Sequence, residues 1–171
     1  MTPLSTRNAR LLMALTLVGI TVAGGTLFAD TAGEIRVPAD FKHGYLVNSL
    51  LITKKANRLG ITSGNHLVYV NSIGFARLTQ GAGTPYPDGT VFVDDVRNYT
   101  TDDGIYSQGN RKFVTVMVKN SMKYAATGGW GFQAWPEGDP SKPVVTDSVK
   151  QCFACHTPQK ANDYVYSTYL H

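Results

Sequence analysis

Cysteine is scarce in this sequence: Cys152 and Cys155 are the only two in 171 residues. A fold stapled by several disulfides is therefore excluded, and the chain has to be held by a hydrophobic core. Long apolar runs are also lacking. The most hydrophobic stretch, Leu11 to Ile20, falls well short of the roughly 20 residues that span a bilayer. Charge of one sign is not in surplus either, since 16 basic residues face 12 acidic ones and two of the formal +4 charges come from Arg7 and Arg10 near the start. With no basic stripe in the body of the chain, a nucleic-acid partner is excluded. No internal repeat or low-complexity tract is visible, so solenoid folds drop out.

The first 29 residues have a clear pattern. Arg7 and Arg10 precede the apolar run, no acid interrupts it, and small residues lead to Phe28 and Ala29. This is the layout of a secretory signal peptide. The expectation is cleavage after about residue 29, an exported, periplasmic protein with no membrane anchor left, and one domain over residues 30–171.

Both cysteines fall in "QCFACHTPQK", residues 151–160. A disulfide at C-x-x-C spacing would close a very small loop and add little stability; such pairs are usually redox-active. Redox pairs of that kind open a helix inside a βα unit, and no βα pattern follows here. A structural zinc needs four ligands, and no third cysteine or nearby second histidine is available to join Cys152, Cys155 and His156. Haem c attachment meets its requirements. "TDSVKQCFACHTP" reads as a short helix with Thr146 or Asp147 as cap and Pro158 just past its end. On a helix, i, i+3 and i+4 share a face, so Cys152 and Cys155 can form two thioether bonds while His156 reaches the iron as axial ligand.

The remaining pattern predicts an α+β fold dominated by an antiparallel sheet, with a few short helices and a haem-bearing helix at the C-terminus. "VPADFKHGYLVNSLLI" (37–52) has the spacing of an amphipathic helix with Pro38 and Asp40 near its start. "HLVYVN" (66–71) reads as a strand, and Asn71 as the cap of a helix over "SIGFARLTQ" that stops at Gly81. "TVFVDDVRNY" (90–99) and "RKFVTVMVKN" (111–120) read as an antiparallel pair with turn chemistry between them. "GGWGFQAW" (128–135) predicts a further strand, with Trp130 and Phe132 on one face and Trp135 on the other. Its glycines would admit a close backbone or a flat ligand.

The position of the haem motif matters. In small electron-carrier cytochromes c the motif sits near the N-terminus and a later methionine completes the iron. Here no methionine follows His156; Met117 and Met122 lie upstream and read more readily as packing residues. A helical bundle with a C-terminal motif is disfavoured by the β-rich, glycine-rich stretch from 90 to 135.

Taken in order, "NHLVYVN", "YPDGTVFVDDV", "VMVKNSMKYAATGGWGF", "CFACH" and "NDYVYS" resemble the cytochrome P-460 family and its relatives, the cytochromes c′-beta. The resemblance implies an antiparallel β domain, a homodimer, and one covalently attached haem c per chain. It also implies a five-coordinate iron with an open distal side facing the sheet. Cys152 and Cys155 carry over as attachment points and His156 as the axial ligand. In hydroxylamine-oxidising members a lysine after the T-V-x-V strand crosslinks to the haem; Asp94 stands at that place and cannot supply an amine. Lys112 and Lys119 lie on the neighbouring predicted strand without a motif that makes either a substitute. This departure moves the expectation toward the c′-beta branch, where an open haem binds nitric oxide or related small nitrogen compounds.

Candidate distal residues are His66, Phe92, Asp94 and Phe113. Phe92 and Phe113 read more readily as sheet core, His66 as a surface or hydrogen-bonded histidine rather than a distal ligand or acid–base group, and Asp94 as a solvated carboxylate or, if buried, a proton carrier. Arg97 and Arg111 could pair with haem propionates or stay solvated. Tyr164, Tyr166 and Tyr169 could cover the haem edge or a dimer surface. Two other functions compete: a hydroxylamine-oxidising enzyme, and a periplasmic electron carrier with a redox partner protein.

Overall fold

The computed structural model describes residues 34–53, 63–81 and 83–169. The expected signal peptide lies outside the described residues. The body is one five-stranded antiparallel sheet in simple sequential order: β1 (Tyr45–Ile52), β2 (Gly64–Val70), β3 (Val91–Asp102), β4 (Ile105–Lys119) and β5 (Trp130–Pro136). Between β2 and β3 runs helix α1 (Ser72–Leu78), started by Asn71, whose side chain accepts from the Gly74 N–H at 3.1 Å. That is the cap expected from the sequence.

The helix expected over residues 37–52 is a strand. Pro38 and Asp40 do start a helical turn, but it lasts only for Phe41–His43, where the His43 N–H donates to the Asp40 carbonyl. Gly44 then takes extended backbone, and "YLVNSLLI" pairs along β2 from Tyr45↔Val70 to Ile52↔Gly64. Its i, i+4 spacing of leucines also fits a pleated edge, and ladder pairing outweighed weak local helix propensity.

β3 and β4 are longer than the β-rich runs suggested. "TTDDGIYSQGN" is almost all strand; the turn shrinks to Asp103 and Gly104, both at positive φ, between the paired residues Asp102 and Ile105. A two-residue Asp-Gly turn of this kind matches the twist of a hairpin and fixes its register.

Strand alternation sorts the core onto two faces. One face carries Val91, Val93, Val114, Val116, Val118 and Trp135, covered by Phe41, Ile35, Val37 and Tyr124. The other carries Val70, Phe92, Met117, Trp130 and Phe132, packed with Leu78, Tyr86 and Val165. The C-terminal helical segment sits on this second face, where Cys152, Phe153 and Tyr164 pack against its core. Trp130 and Phe132 thus face away from Trp135, as the period-2 reading of "GGWGFQAW" requires.

The first face also holds Asp95, whose side chain is 0 % exposed. Its carboxylate accepts from Arg111 Nε at 2.7 Å and Arg97 Nη2 at 3.0 Å. Arg97 and Arg111 are therefore committed to a structural carboxylate, which removes the expectation that they pair with haem propionates.

Candidate cofactor site

The segment bearing both cysteines is helical from Val149 to Asn162, but with changing pitch. Val149–Phe153 winds as a π-helix, Ala154–His156 as α-helix (α2), and Thr157–Asn162 as 3-10 helix. Local π turns mark places where a side chain must be re-aimed. The start is capped twice: the Asp147 carboxylate accepts from the Lys150 N–H at 3.1 Å, and Gln151 Oε1 accepts from the N–H groups of Thr146 and Asp147, each at 2.8 Å. This reciprocal bonding satisfies donors that a helix start leaves open. Pro158 does not end the helix; it sits in the first turn of the 3-10 stretch, where a missing N–H costs nothing.

His156 is oriented by the chain that follows it. Its Nδ1 lies 2.8 Å from the Tyr164 carbonyl, so Nδ1 carries the proton and Nε2 is the nitrogen left for a metal. Burial holds the imidazole below its ordinary pKa, against the opposing pull of that hydrogen bond, so at pH 7 the ring is neutral and able to coordinate. The ring packs on Phe132 at 5.1 Å and on Tyr166 at 5.4 Å between centroids. Tyr166 also donates its hydroxyl to the Cys155 carbonyl at 2.6 Å, tying the tail to the motif.

Cys152 is half-buried and Cys155 exposed, and they are not joined to each other. Burial, with a smaller contribution from Cys155, pushes the Cys152 thiol up to about 11. A thiol kept protonated in this way is a poor soft-metal ligand or redox nucleophile. Among the described residues no three His, Cys, Asp or Glu side chains come together as a metal site. The donor set, two cysteines and one neutral histidine over an apolar bed of Phe132, Phe153 and Met117, suits a flat macrocycle that brings its own equatorial nitrogens.

The sheet face on which this segment sits can be followed along the ladder. Val70, Phe92, Met117 and Phe132 form one cross-strand row. Next comes Val68, Asp94, Thr115 and Ala134, and after it His66, Val96, Phe113 and Pro136. All four candidate distal residues therefore share the face that carries the C-terminal segment. Phe92 is buried edge-on against Tyr86 at 5.3 Å. His66 and Asp94 form a bonded pair, Nδ1 to Oδ2 at 2.7 Å. The other carboxylate oxygen, Asp94 Oδ1, is buried with no hydrogen-bond partner. A buried acceptor in that state is costly and points to a ligand proton or water that completes it.

Residues 38–167 match the family model of cytochrome P460. The chain belongs to the cytochrome P460 family. The match spans the sheet and the C-terminal helical segment together, and makes this a haem cytochrome of that family. No curated protein matches the chain. Within this cytochrome P460 domain the lysines considered as crosslinking groups are engaged elsewhere. Lys112 Nζ donates to the Ser63 carbonyl at 2.8 Å, and Lys119 Nζ bonds both carboxylate oxygens of Asp163 at 2.9 and 2.8 Å. Met122 is fully at the surface, while Met117 is buried between Phe92 and Phe132 in its row.

Sequence reasoning missed the group that holds His156. The acceptor is a backbone carbonyl, which no side-chain motif reveals. Asp163 and Tyr164 both sit at positive φ, 50° and 66°, each costing on the order of 1 kcal/mol for a residue with a Cβ. Two such residues in succession are the only available signal, and it exists only in coordinates. Of the tail tyrosines, Tyr164 packs on Phe153 at 4.9 Å and Tyr169 on Phe75 at 5.9 Å. The glycine at 128 gives way to a flat group of the protein itself: a Cβ there would run into the Tyr164 ring.

Proposed function

We propose that this protein is an exported mono-haem c cytochrome whose iron is five-coordinate and binds nitric oxide or a related small nitrogen compound on its open side. Cys152 and Cys155 hold the haem through thioether bonds and His156 is its axial ligand. The haem supplies an iron able to bind and exchange electrons with a small nitrogen ligand. The protein's residues hold the proximal ring, cover the macrocycle with apolar side chains, and offer acceptors to the ligand. The reading is carried by the commitment of His156 Nδ1 to the Tyr164 carbonyl, which leaves one nitrogen for the metal. It is supported on the other side by the two methionines among the described residues: Met117 is core and Met122 lies out in solvent.

Hydroxylamine oxidation is the second reading, and one observation favours it. Asp94 Oδ1 is a buried acceptor beside His66, suited to a ligand that carries N–H or O–H. The pair could then accept a proton from that ligand at Asp94 Oδ1. Against it stands the lack of a lysine at position 94 and the engagement of Lys112 and Lys119. The simple electron carrier has no observation in its favour beyond the haem motif.

A homodimer fits β1, the edge strand of the sheet among the described residues, where Tyr45, Leu46, Leu50 and Leu51 stand exposed. The intact mass of the mature protein, with its oxidised and reduced absorption spectra, tests the functional reading. Mass for one haem on two thioethers and a ferrous spectrum that changes on adding nitric oxide are expected. A macrocycle crosslink with hydroxylamine turnover would favour the second reading instead.

A further inference from the structure

We propose that Lys119 and Asp163 are positioning residues for the proximal histidine: their buried ion pair holds the Asp163–Tyr164 backbone in the conformation that turns the Tyr164 carbonyl onto His156 Nδ1. The inference rests on the reading of His156 as the iron ligand.

A chain with two consecutive non-glycine residues at positive φ leaves that conformation unless it is held. Here it is held at several points by groups from the sheet and from the loop that leads into β3. Lys119, at the end of β4 and 4 % exposed, bonds both oxygens of the Asp163 carboxylate. The Tyr86 N–H donates to Asp163 Oδ2 at 2.7 Å. The Trp130 indole N–H donates to the Asp163 carbonyl at 2.8 Å, and Trp130 itself is wholly buried at the start of β5. Lys119 has no freedom to drift, since its ammonium also donates to the Gly128 carbonyl at 3.0 Å and lies 4.9 Å over the Trp130 ring. Tyr164 follows directly, its ring lying against Phe153 and over Gly128.

Neither Lys119 nor Asp163 touches the His156 ring, so they act through the Tyr164 carbonyl alone. A fixed acceptor on Nδ1 draws the proton and gives the imidazole partial imidazolate character, which makes it a stronger donor to iron. It favours the ferric state and lowers the reduction potential. If the carbonyl swings away, the ring becomes an ordinary neutral imidazole with rotational freedom. A buried ion pair at the end of β4, outside contact with the imidazole, thus sets the electronic state of the metal. It also explains why a lysine on β4 is buried without serving as a crosslink.

Resonance Raman spectra of the ferrous holoprotein report the iron–histidine stretch directly, and potentiometry reports the midpoint. Asp163→Asn and Lys119→Met are each expected to lower the stretching frequency and shift the midpoint upward, with Lys119→Arg restoring most of both. Trp130→Phe removes only one tether of the same segment and is expected to move both readouts in the same direction by less; it serves if the charge variants fail to fold. A band present in the wild type but unmoved in every folded variant overturns the clamp alone. A wild type with no iron–histidine band overturns the clamp and the assignment of His156 together.

Discussion

Replacing Asp95 with Asn removes one negative charge from the interior while leaving its shape. The carboxylate is 0 % exposed and binds two guanidinium groups whose side chains are 20 % and 29 % exposed; Lys42 Nζ stands 4.0 Å away. The Asn variant leaves those cations facing a neutral amide, half of which is itself a donor. Breaking a fully buried ion pair costs about 3–5 kcal/mol. Partial exposure of both arginines lets water recover some of this, so about 2–3 kcal/mol is expected. For a domain of this size that is a fall in Tm of about 10 °C. The pH dependence has a definite sign. Burial alone would raise the Asp95 pKa, but hydrogen bonds and charge from Arg111 and Arg97 outweigh it and hold it below the usual carboxylate value of 3.8. A depressed folded pKa gives stability that is present above about pH 4 and lost as pH falls through the folded value. Urea unfolding of wild type and Asp95→Asn from pH 7 down to pH 3 measures both effects. The gap is expected to be widest at neutral pH and to narrow as pH falls below about 4, with the haem spectrum unchanged because Asp95 lies on the sheet face away from the C-terminal segment. A gap under about 1 kcal/mol at pH 7, or one that stays constant into acid, refutes the reasoning.

The remaining expectations concern the site. Asp94→Asn replaces an anionic acceptor by a neutral amide beside His66; it should weaken hydroxylamine binding to the ferric protein about tenfold, the value of one charge-assisted hydrogen bond, and change nitric oxide affinity much less. Gly128→Ala places a Cβ at φ 65° and into the Tyr164 ring, so a loss of about 2–3 kcal/mol in urea unfolding is expected, together with a shifted Soret band. Cys152→Ala with Cys155→Ala should yield protein whose haem is lost on acid-acetone extraction, whereas either single change leaves one thioether and retains it. Leu46→Asp on the edge strand should move the sedimentation coefficient from dimer toward monomer; an unchanged value places any dimer contact elsewhere.

Much of this molecule was legible before any coordinates. β-branched runs marked β3 and β4, Asn71 marked the start of α1, and period-2 alternation placed Trp130 and Trp135 on opposite faces. These signals are local, and tertiary packing agreed with them. Residues 37–52 misled because their leucine spacing suits either a helix or an edge strand, and the partner strand β2 decided between them. The haem-attachment reading of Cys152, Cys155 and His156 rests on fixed residue types at fixed spacing. What orients His156 was not legible. The acceptor on His156 is a main-chain carbonyl, and Lys119 lies 44 positions from Asp163; neither long-range pairing nor backbone direction leaves a pattern in sequence. His66 and Asp94 were both singled out, but their bond across β2 and β3 depends on register, which only the ladder supplies.

The most direct test of the central claim is the absorption spectrum of the reduced mature holoprotein before and after nitric oxide. An open site held by His156 alone is expected to give a high-spin, five-coordinate ferrous spectrum that converts fully to a nitrosyl spectrum. A low-spin, six-coordinate spectrum that nitric oxide leaves unchanged would contradict it, and would mean that a protein side chain already occupies the distal position.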